Sequence, residues 1–197
     1  MTHQPSAAFD GSNPGIVVVC GNPKSQSRTL TVAQRLAGRL SERLPGLLAE
    51  RLTDEADLAG SATIDLATLG GAVIDGSPDV DEALATARSA RVLVVATPIY
   101  KASYTGLLKA FLDRFGGGAL TGIIAIPLTV SASPIHRLAA DVHLRPLLIE
   151  LGASVPTRAL AIEESQLAAI HDAVESWIAS EAPLIRDVLP GLAAVRA

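Results

Sequence analysis

The sequence predicts an α/β protein: a three-layer α/β/α sandwich built on a five-stranded parallel sheet. Short, continuously apolar runs alternate with longer segments whose apolar residues recur at helical spacing. Apolar residues make up 49% of the 197 residues but aromatic residues only 3%, and a core of Ala, Leu, Val and Ile suits helices packed on a parallel sheet. Right-handed crossovers then place helices on both faces. We prefer the strand order 2-1-3-4-5, which gathers the loops after strands one, three and four around one crevice.

The first strand is predicted at Ile16 to Cys20, a β-branched run that ends before a glycine. Its helix follows, with apolar residues at helical spacing from Leu30 to Leu44. Pro45-Gly46 is expected to end that helix. A second strand is predicted near Thr63 to Leu66, after a stretch of mixed helical and turn character from Leu47 to Gly60.

The middle of the chain continues the alternation. Gly70 to Pro78 is expected to be a loop, and Val80 to Ala90 a helix with Asp79 as its N-cap. The third strand is predicted at Arg91 to Ala96. Because proline lacks a backbone N–H, Pro98 is expected not to extend the ladder of that strand.

Five further elements complete the predicted fold. A helix is expected from Tyr104 to Phe115, then a fourth strand at Gly122 to Leu128 followed by a helix that reaches Leu151. A fifth strand is predicted at Ser154 to Ile162, and Leu167 to Ile178 opens the last helix. We expect a loose tail at residues 1–14, one ligand-binding domain at 15–182 and a C-terminal extension at 183–197.

Composition excludes several functional classes. The formal net charge of −4 gives no electrostatic footprint for a nucleic-acid partner. The single cysteine, Cys20, excludes an internal disulfide and indicates a reducing compartment. The N-terminal segment does not resemble a cleavable signal, and no apolar run reaches the roughly 18 residues of a membrane span. We therefore expect a cytoplasmic protein without a membrane partner.

The loop after strand one, residues 21–29, has the chemistry of an anion cradle. Backbone N–H groups at a helix N-terminus favour phosphate, hydroxyl groups donate hydrogen bonds, and Arg28 can form a charge-assisted fork. The alternative is an ordinary capped βα turn with a solvated Arg28 and Lys24. The loop lacks both the Gly-Lys-Ser/Thr sequence of a nucleoside triphosphate site and the Gly-x-Gly-x-x-Gly of a dinucleotide fold.

The most informative stretch is Ala96 to Asp113, which leaves a buried strand, makes a stiff Pro-containing turn and enters an amphipathic helix. Open parallel sheets bind ligands at the carboxyl ends of their strands, so function is expected at this junction. Tyr100 is either a ligand contact or a turn aromatic packed on a neighbouring helix or subunit. Lys101 is either near the ligand or solvated, and Ser103 is either a ligand contact or an N-cap.

These two segments resemble the NAD(P)H-dependent FMN reductases of the flavodoxin-like superfamily. The similarity is greatest to the flavin reductases that serve two-component alkanesulfonate and methanesulfonate monooxygenases. The matching residues are Gly21, Asn22, Pro23, Ser27, Arg28 and Thr29 in the first loop and Thr97 to Lys109 in the second. Weaker similarity extends over most of Ile16 to Glu164.

The resemblance implies a flavodoxin-like fold and an FMN site. Ser27, Arg28 and Thr29 would hold the phosphate, with Asn22 nearby; the segment from Pro98 to Lys101 would line the isoalloxazine, and the segment from Thr129 to Ser133 would close its other edge. The expected cofactor-binding residues are Asn22, Ser27, Arg28, Thr29, Pro98, Ile99, Tyr100, Lys101, Ser103, Thr129, Ser131 and Ser133. Related reductases often have a glycine-rich turn after strand four, whereas this chain has Thr-Val-Ser-Ala-Ser-Pro, so side chains are expected to crowd that edge.

The implied activity is hydride transfer from NADPH or NADH to FMN, with reduced FMN released to a flavin-dependent monooxygenase, here of the sulfonate type. No catalytic side chain is required, because the transfer occurs between cofactors. The resemblance also implies a homodimer or homotetramer, and a π-type bulge at a subunit interface near Val142 and His143. The four histidines make no recognisable metal spacing, so no metal is expected. His136 and His143 have no role that the sequence assigns.

Two alternatives remain open at this stage. One is a reductase that keeps FMN as a prosthetic group and reduces quinones, azo dyes or nitro compounds. The other is a non-catalytic electron carrier like flavodoxin, although flavodoxins are usually far more acidic than a net charge of −4. The choice between NADPH and NADH is also open, because no 2′-phosphate pocket can be assigned from scattered arginines.

Overall fold

A computed structural model describes residues 14–49, 58 and 60–196, and its centre is a parallel sheet. The five strands are β1 (Ile16–Cys20), β2 (Ser61–Asp65), β3 (Val92–Pro98), β4 (Ile124–Ser131) and β5 (Leu160–Glu163). They lie in the order β2-β1-β3-β4-β5, as the sequence predicted. The predicted tail at residues 1–14 lies outside the described residues except for residue 14.

Helices cover both faces of the sheet, which confirms the three-layer sandwich. The α-helices of the described part are α1 (Arg28–Leu48), α2 (Leu66–Leu69), α3 (Ala72–Asp75), α4 (Pro78–Ser89), α5 (Gly106–Leu112), α6 (Arg145–Glu150) and α7 (Ile170–Arg196). α1 and α7 pack on one face, and α4, α5 and α6 pack on the other.

Alternate residues of each central strand enter different cores, because successive side chains point to opposite faces of a sheet. In β1, Ile16 and Val18 pack with α1 and α7, whereas Val17 and Val19 pack in the opposite core. β3 and β4 follow the same rule, with even-numbered residues on the side of α1 and α7. This parity decides which residues reach the functional site.

Two proline predictions were wrong. α1 continues through Pro45 to Leu48, because Leu48 is fully buried and its burial offsets the hydrogen bond that proline removes. Pro98 pairs with Val130 as the last residue of β3. The amide of Ile99 donates to the Val130 oxygen on the β4 side, so the missing N–H of Pro98 falls on the side of β1, which has already ended at Cys20.

The segment between β2 and β3 also differs from expectation. β2 starts and ends slightly earlier than predicted, and α2 follows it directly because the Asp65 side chain accepts from the amide of Ala67. α3 lies within the stretch expected to be a loop. The N-cap of α4 is Ser77 rather than Asp79: the Ser77 hydroxyl accepts from the amide of Val80, and Pro78 occupies the first turn.

The stretch predicted as one helix up to Leu151 is divided. β4 runs to Ser131, three residues beyond the prediction, and is followed by a 3-10 turn at Pro134–His136, a π-helical segment at Ala140–Leu144 and then α6. The π-helical segment contains Val142 and His143, where the sequence resemblance implied such a bulge. Proline at position 146 falls in the first turn of α6, where its missing N–H costs least.

The last elements are shorter or longer than predicted. α5 is shorter than the expected Tyr104 to Phe115 because Thr105 is its N-cap, so Ser103 is not. β5 has four residues, and Ser154 makes only an isolated bridge to Ile124. A 3-10 turn at Glu164–Ala169 precedes α7, and the predicted boundary between residues 182 and 183 falls inside that helix. Among the described residues, no helix is long and apolar enough to cross a membrane.

Candidate functional site

A cavity of about 500 Å³ opens where β1, β3 and β4 end, on the face of the sheet covered by α1 and α7. Its volume is within the range typical of small-molecule sites. Polar residues from the loop after β1 line one side, and proline, aliphatic and aromatic side chains line the other. The lining residues are Asn22, Lys24, Gln26, Ser27, Arg28, Thr29, Pro98, Ile99, Tyr100, Val130, Ala132 and Glu164.

The loop after β1 is shaped by the side chain of Asn22, which is buried. Its Oδ1 accepts from the backbone amide of Lys24 at 2.9 Å, and its Nδ2 donates to Oγ1 of Thr29 at 3.2 Å. These bonds join the start of the loop to the first turn of α1. Gln26 is held in the left-handed region, with φ of 51°, immediately before the helix. These contacts within the chain fix the conformation of the loop.

The N-terminus of α1 faces the cavity. Ser27 is the N-cap, and its hydroxyl accepts from the amide of Leu30 at 3.2 Å. The amides of Arg28 and Thr29 lie in the first turn, where helical N–H groups have no intrahelical partner. The first turn contains no acidic residue. The helix dipole and these donors together favour an anion at this end of the cavity.

Arg28 places a guanidinium at this end of the cavity, and that guanidinium is paired. Its Nη2 donates to Oε1 of Glu164 at 2.7 Å, and the two side chains are 65% and 40% exposed. Glu164 begins the 3-10 turn after β5 and also lines the cavity. The exposure of both partners means that water competes for the pair, so its net strength is small.

The loop after β3 forms a tight turn at the apolar side of the cavity. Tyr100 and Ser103 exchange backbone hydrogen bonds of 2.9 and 3.1 Å, and the two residues between them, Lys101 and Ala102, have φ of 51° and 66°. Left-handed backbone at non-glycine residues costs about 1 to 2 kcal/mol each. The surrounding structure holds this turn in a strained conformation, with the Tyr100 side chain 53% exposed.

Buried hydrogen bonds join the two loops. Thr105 Oγ1 donates to the carbonyl of Gly21 and accepts from the amide of Leu108 at 3.1 Å, and the Thr105 amide donates to Oγ1 of Thr97 at 3.2 Å. The Gly21 amide donates to the carbonyl of Ala96 at 2.7 Å. The end of β1, the end of β3 and the start of α5 therefore form one rigid unit beneath the cavity.

The end of β4 contributes a different set of residues from the expected one. Val130 and Ala132 line the cavity, whereas Thr129 and Ser131 are buried and absent from its lining. The Ser131 hydroxyl instead donates to the carbonyl of Ser133 at 3.2 Å. The strand parity explains this, because even-numbered residues of β4 face the cavity side of the sheet.

The structure thus brings seven of the twelve expected site residues to one cavity. These are Asn22, Ser27, Arg28, Thr29, Pro98, Ile99 and Tyr100. The other five, Lys101, Ser103, Thr129, Ser131 and Ser133, do not line it. The expected cofactor-binding set left out Lys24, Gln26, Val130, Ala132 and Glu164, although Val130 and Ala132 lie within the segment from Thr129 to Ser133 that was expected to close the flavin edge. The first two lie inside the polar loop that was already singled out, whereas no local pattern marks Glu164.

No activated nucleophile lines this cavity. Cys20 is buried in β1, and burial raises the pKa of its thiol, which keeps it protonated and unreactive. The described residues contain no group of His, Cys, Asp and Glu that could hold a metal ion. The three histidines among the described residues do not line the cavity: His171, in α7, contacts Arg35, and His136 and His143 belong to the segment between β4 and α6.

Comparisons with known proteins agree with this geometry. The family model described as NADPH-dependent FMN reductase matches residues 14–166. An FMN reductase (NADPH) from Pseudomonas putida is 32% identical over 132 residues, covering 59% of this chain and 67% of that protein. The NADH-dependent FMN reductase SfnF of Pseudomonas putida is 33% identical over 138 residues, covering 67% of this chain and 68% of that protein. The solved structure of an NADH:FMN oxidoreductase (EMOB) in its apo form is 31% identical, with a TM-score of 0.65, and the match covers 84% of this chain and 88% of that one.

Proposed function

Because the chain belongs to the NADPH-dependent FMN reductase family, we propose that it reduces FMN with NADPH or NADH and releases the reduced flavin to a partner flavin-dependent monooxygenase. FMN, when bound, supplies the redox chemistry by accepting a hydride from the reduced nicotinamide. The protein supplies binding, orientation and exclusion of water. The similarity to SfnF supports a sulfonate-type monooxygenase as the partner.

The juxtaposition of two walls at one cavity carries this proposal. The N-terminus of α1, with Ser27, Arg28 and Thr29, has donors suited to the phosphate of FMN. The turn from Pro98 to Tyr100 forms an apolar wall suited to a flat ring system. The residues present therefore fit FMN at both ends of the molecule.

The remaining expected residues have supporting positions in this proposal. Lys101 and Ser103 belong to the strained turn that presents Tyr100, and Thr129 lies next to Thr97 in the register of β3 and β4. Ser131 and Ser133 shape the backbone beside Val130 and Ala132. A rigid turn can offer its backbone N–H groups to the polar rim of a flavin without reordering at each turnover.

The direct test follows NADPH and NADH oxidation by the purified protein with and without added FMN. We expect flavin-dependent oxidation that saturates with FMN, and a preparation that is colourless until flavin is added. A folded sample whose nicotinamide oxidation is not stimulated by FMN would overturn the proposal. A yellow preparation with ping-pong kinetics toward a quinone would favour a retained prosthetic flavin, and complete absence of nicotinamide oxidation would favour an electron carrier.

Replacing Arg28 with alanine is expected to weaken FMN binding by about 1.5 to 3 kcal/mol, the range for a hydrogen bond to a charged group. Riboflavin, which lacks the phosphate, should bind both proteins equally. Titration of flavin fluorescence measures both constants. Arg43→Ala is the matched control, because it removes the same charge from the same helix about 22 Å further along it. An unchanged FMN dissociation constant in Arg28→Ala would remove this role.

We further propose that the chain is a homodimer or homotetramer assembled through the segment between β4 and α6. Four large apolar side chains that are more than half exposed lie in this segment and in α6, and we call them the apolar stripe: Ile135, Leu138, Val142 and Ile149. Exposed apolar patches of this kind are typical of interfaces, and the apolar stripe of one copy can pair with the same stripe of a second copy. Oligomerisation would cover the π-helical segment.

Leu138→Asp is expected to shift the protein toward the monomer in sedimentation velocity, because it places a charge inside the interface. The control is Ile74→Asp, which introduces the same charge at an apolar residue of α3 that is 73% exposed and lies off this stripe. Dissociation by the control variant to the same extent would argue against the stripe as the interface.

A further inference from the structure

The ion pair at the mouth of the cavity joins two residues that are 136 positions apart in the chain. Arg28 starts α1 and Glu164 starts the 3-10 turn after β5, and their side chains meet at 2.7 Å. Both side chains line the same cavity as Ser27 and Thr29. A carboxylate therefore occupies a guanidinium donor at the end of the cavity that is otherwise suited to an anion.

A carboxylate in this position opposes phosphate binding in two ways. It occupies Nη2 of Arg28, which a phosphate would otherwise use, and it repels the negative charge of the phosphate directly. Both side chains are well exposed, so the pair is held without a burial cost and can open. The repulsion persists after the pair opens, because Glu164 remains at the rim of the cavity.

We propose that Glu164 competes with the phosphate of FMN for Arg28 and thereby keeps the flavin exchangeable. This inference rests on the proposed function and adds to it a residue that sets the balance between retaining and releasing phosphorylated flavin. In a reductase that must pass FMN to another protein, weak retention favours turnover. Glu164 is a specificity-determining residue in this scheme and takes no part in hydride transfer.

The backbone at Glu164 is held by its neighbours rather than by its own side chain. Gln166 Oε1 accepts from the amide of Glu163 at 2.9 Å, and the Glu163 side chain accepts in return from the amide of Gln166, which makes a capping box. Glu163 also accepts from Arg137 at 3.1 Å. A change confined to the side chain of Glu164 is therefore expected to leave the turn intact.

The test compares the wild-type protein with Glu164→Gln, which keeps the size of the side chain and removes its charge. Flavin fluorescence titrations at low ionic strength give dissociation constants for FMN and for riboflavin. We expect Glu164→Gln to bind FMN about two- to fivefold more tightly, with riboflavin affinity unchanged and the gain reduced at high salt. In the Arg28→Ala background, the same substitution should tighten FMN binding by a smaller factor, because the competition for the guanidinium is gone.

Glu42→Gln is the matched control, because it removes one negative charge from an exposed residue of α1 about 21 Å along the helix from Arg28. In a parallel titration at physiological salt, where the screening length is about 8 Å, the FMN affinity of this control should equal that of the wild type. Equal or weaker FMN binding by Glu164→Gln would overturn the inference, as would equal tightening of FMN and riboflavin. A wild-type protein that binds neither flavin would overturn the proposed function itself, and this inference with it.

Discussion

Replacing Gly21 with alanine should lower the free energy of unfolding by about 3 kcal/mol and weaken flavin binding at least tenfold. A Cβ at this position would lie 2.5 Å from Cβ of Leu108 and 3.1 Å from its Cγ. The Leu108 Cβ is fixed to the backbone of α5, so rotation of the side chain cannot relieve the contact. Either α5 or the loop after β1 must move.

The movement would separate the two walls of the cavity. Gly21 accepts from Thr105 and donates to Ala96, so displacement of α5 strains the bonds that hold both loops together. Urea unfolding and FMN titration measure the two effects. Gly38→Ala is the control, because nothing lies within 4 Å of an added Cβ there and it should stabilise α1 by about 0.5 to 1 kcal/mol. Wild-type flavin affinity in Gly21→Ala would refute the coupling.

Replacing Glu181 with alanine should lower the free energy of unfolding by about 2 to 4 kcal/mol. Glu181, in α7, is 3% exposed and accepts from the backbone amide of Arg158 at 2.8 Å, from its Nε at 2.9 Å and from the hydroxyl of Ser180 at 3.1 Å. Truncation leaves the Arg158 amide without this acceptor and creates a cavity. The chain entering β5 would lose one of its attachments to α7 and keep the hydrogen bond from Trp177 to the carbonyl of Arg158.

Because the Glu181 carboxylate is hydrogen-bonded in its charged form, we expect the free energy of unfolding to fall at acid pH. Burial by itself would raise the pKa of Glu181, but the hydrogen bonds from Arg158 and Ser180 outweigh it, and the pKa lies below the ordinary value of 4.5. A lowered folded-state pKa means that the stabilisation is complete above about pH 4.5 and is lost as the pH falls through the folded-state pKa.

Glu181→Gln tests this dependence, because it keeps the size of the side chain and removes the charge. Its stability should be lower than wild type at pH 7, and the difference should shrink as the pH falls below 4.5. The single tryptophan, Trp177, donates to the carbonyl of Arg158 and reports locally, so circular dichroism is the second probe. A difference that persists unchanged at acid pH would contradict the assigned cause.

The sequence predicted the sheet well because continuously apolar runs such as Ile16 to Cys20 have few alternative structures. The same continuous hydrophobicity hides which face of the sheet each residue occupies. Every residue of β4 is buried, so hydrophobicity alone does not show which of Thr129 and Val130 faces the cavity. The N-cap of α4 was recoverable, since Ser77 followed by Pro78 is a standard helix start. The continuation of α1 past Pro45 could not be predicted from the sequence, because it depends on the burial of Leu48 in the assembled core.

In the candidate site, too, some residues could be predicted from the sequence and others could not. Residues close together in sequence, such as Asn22 and Ser27, were found because the loop has a recognisable chemistry. Glu164 was not found, because its relation to Arg28 exists only after β5 and α1 have packed. The π-helical segment was anticipated from resemblance alone, since one extra residue per turn leaves little trace in the apolar pattern.

The parity of the central strands has a consequence for how this protein can change. Even-numbered residues such as Pro98 and Val130 line the cavity, while their odd-numbered neighbour Thr97 bonds to Thr105 on the opposite side of the sheet. Residues that line the cavity and residues that support the loops thus alternate along the same short strand ends. Selectivity can drift by substitutions on one set while the other preserves the folded frame, so new flavin or nicotinamide preferences are accessible without a new scaffold.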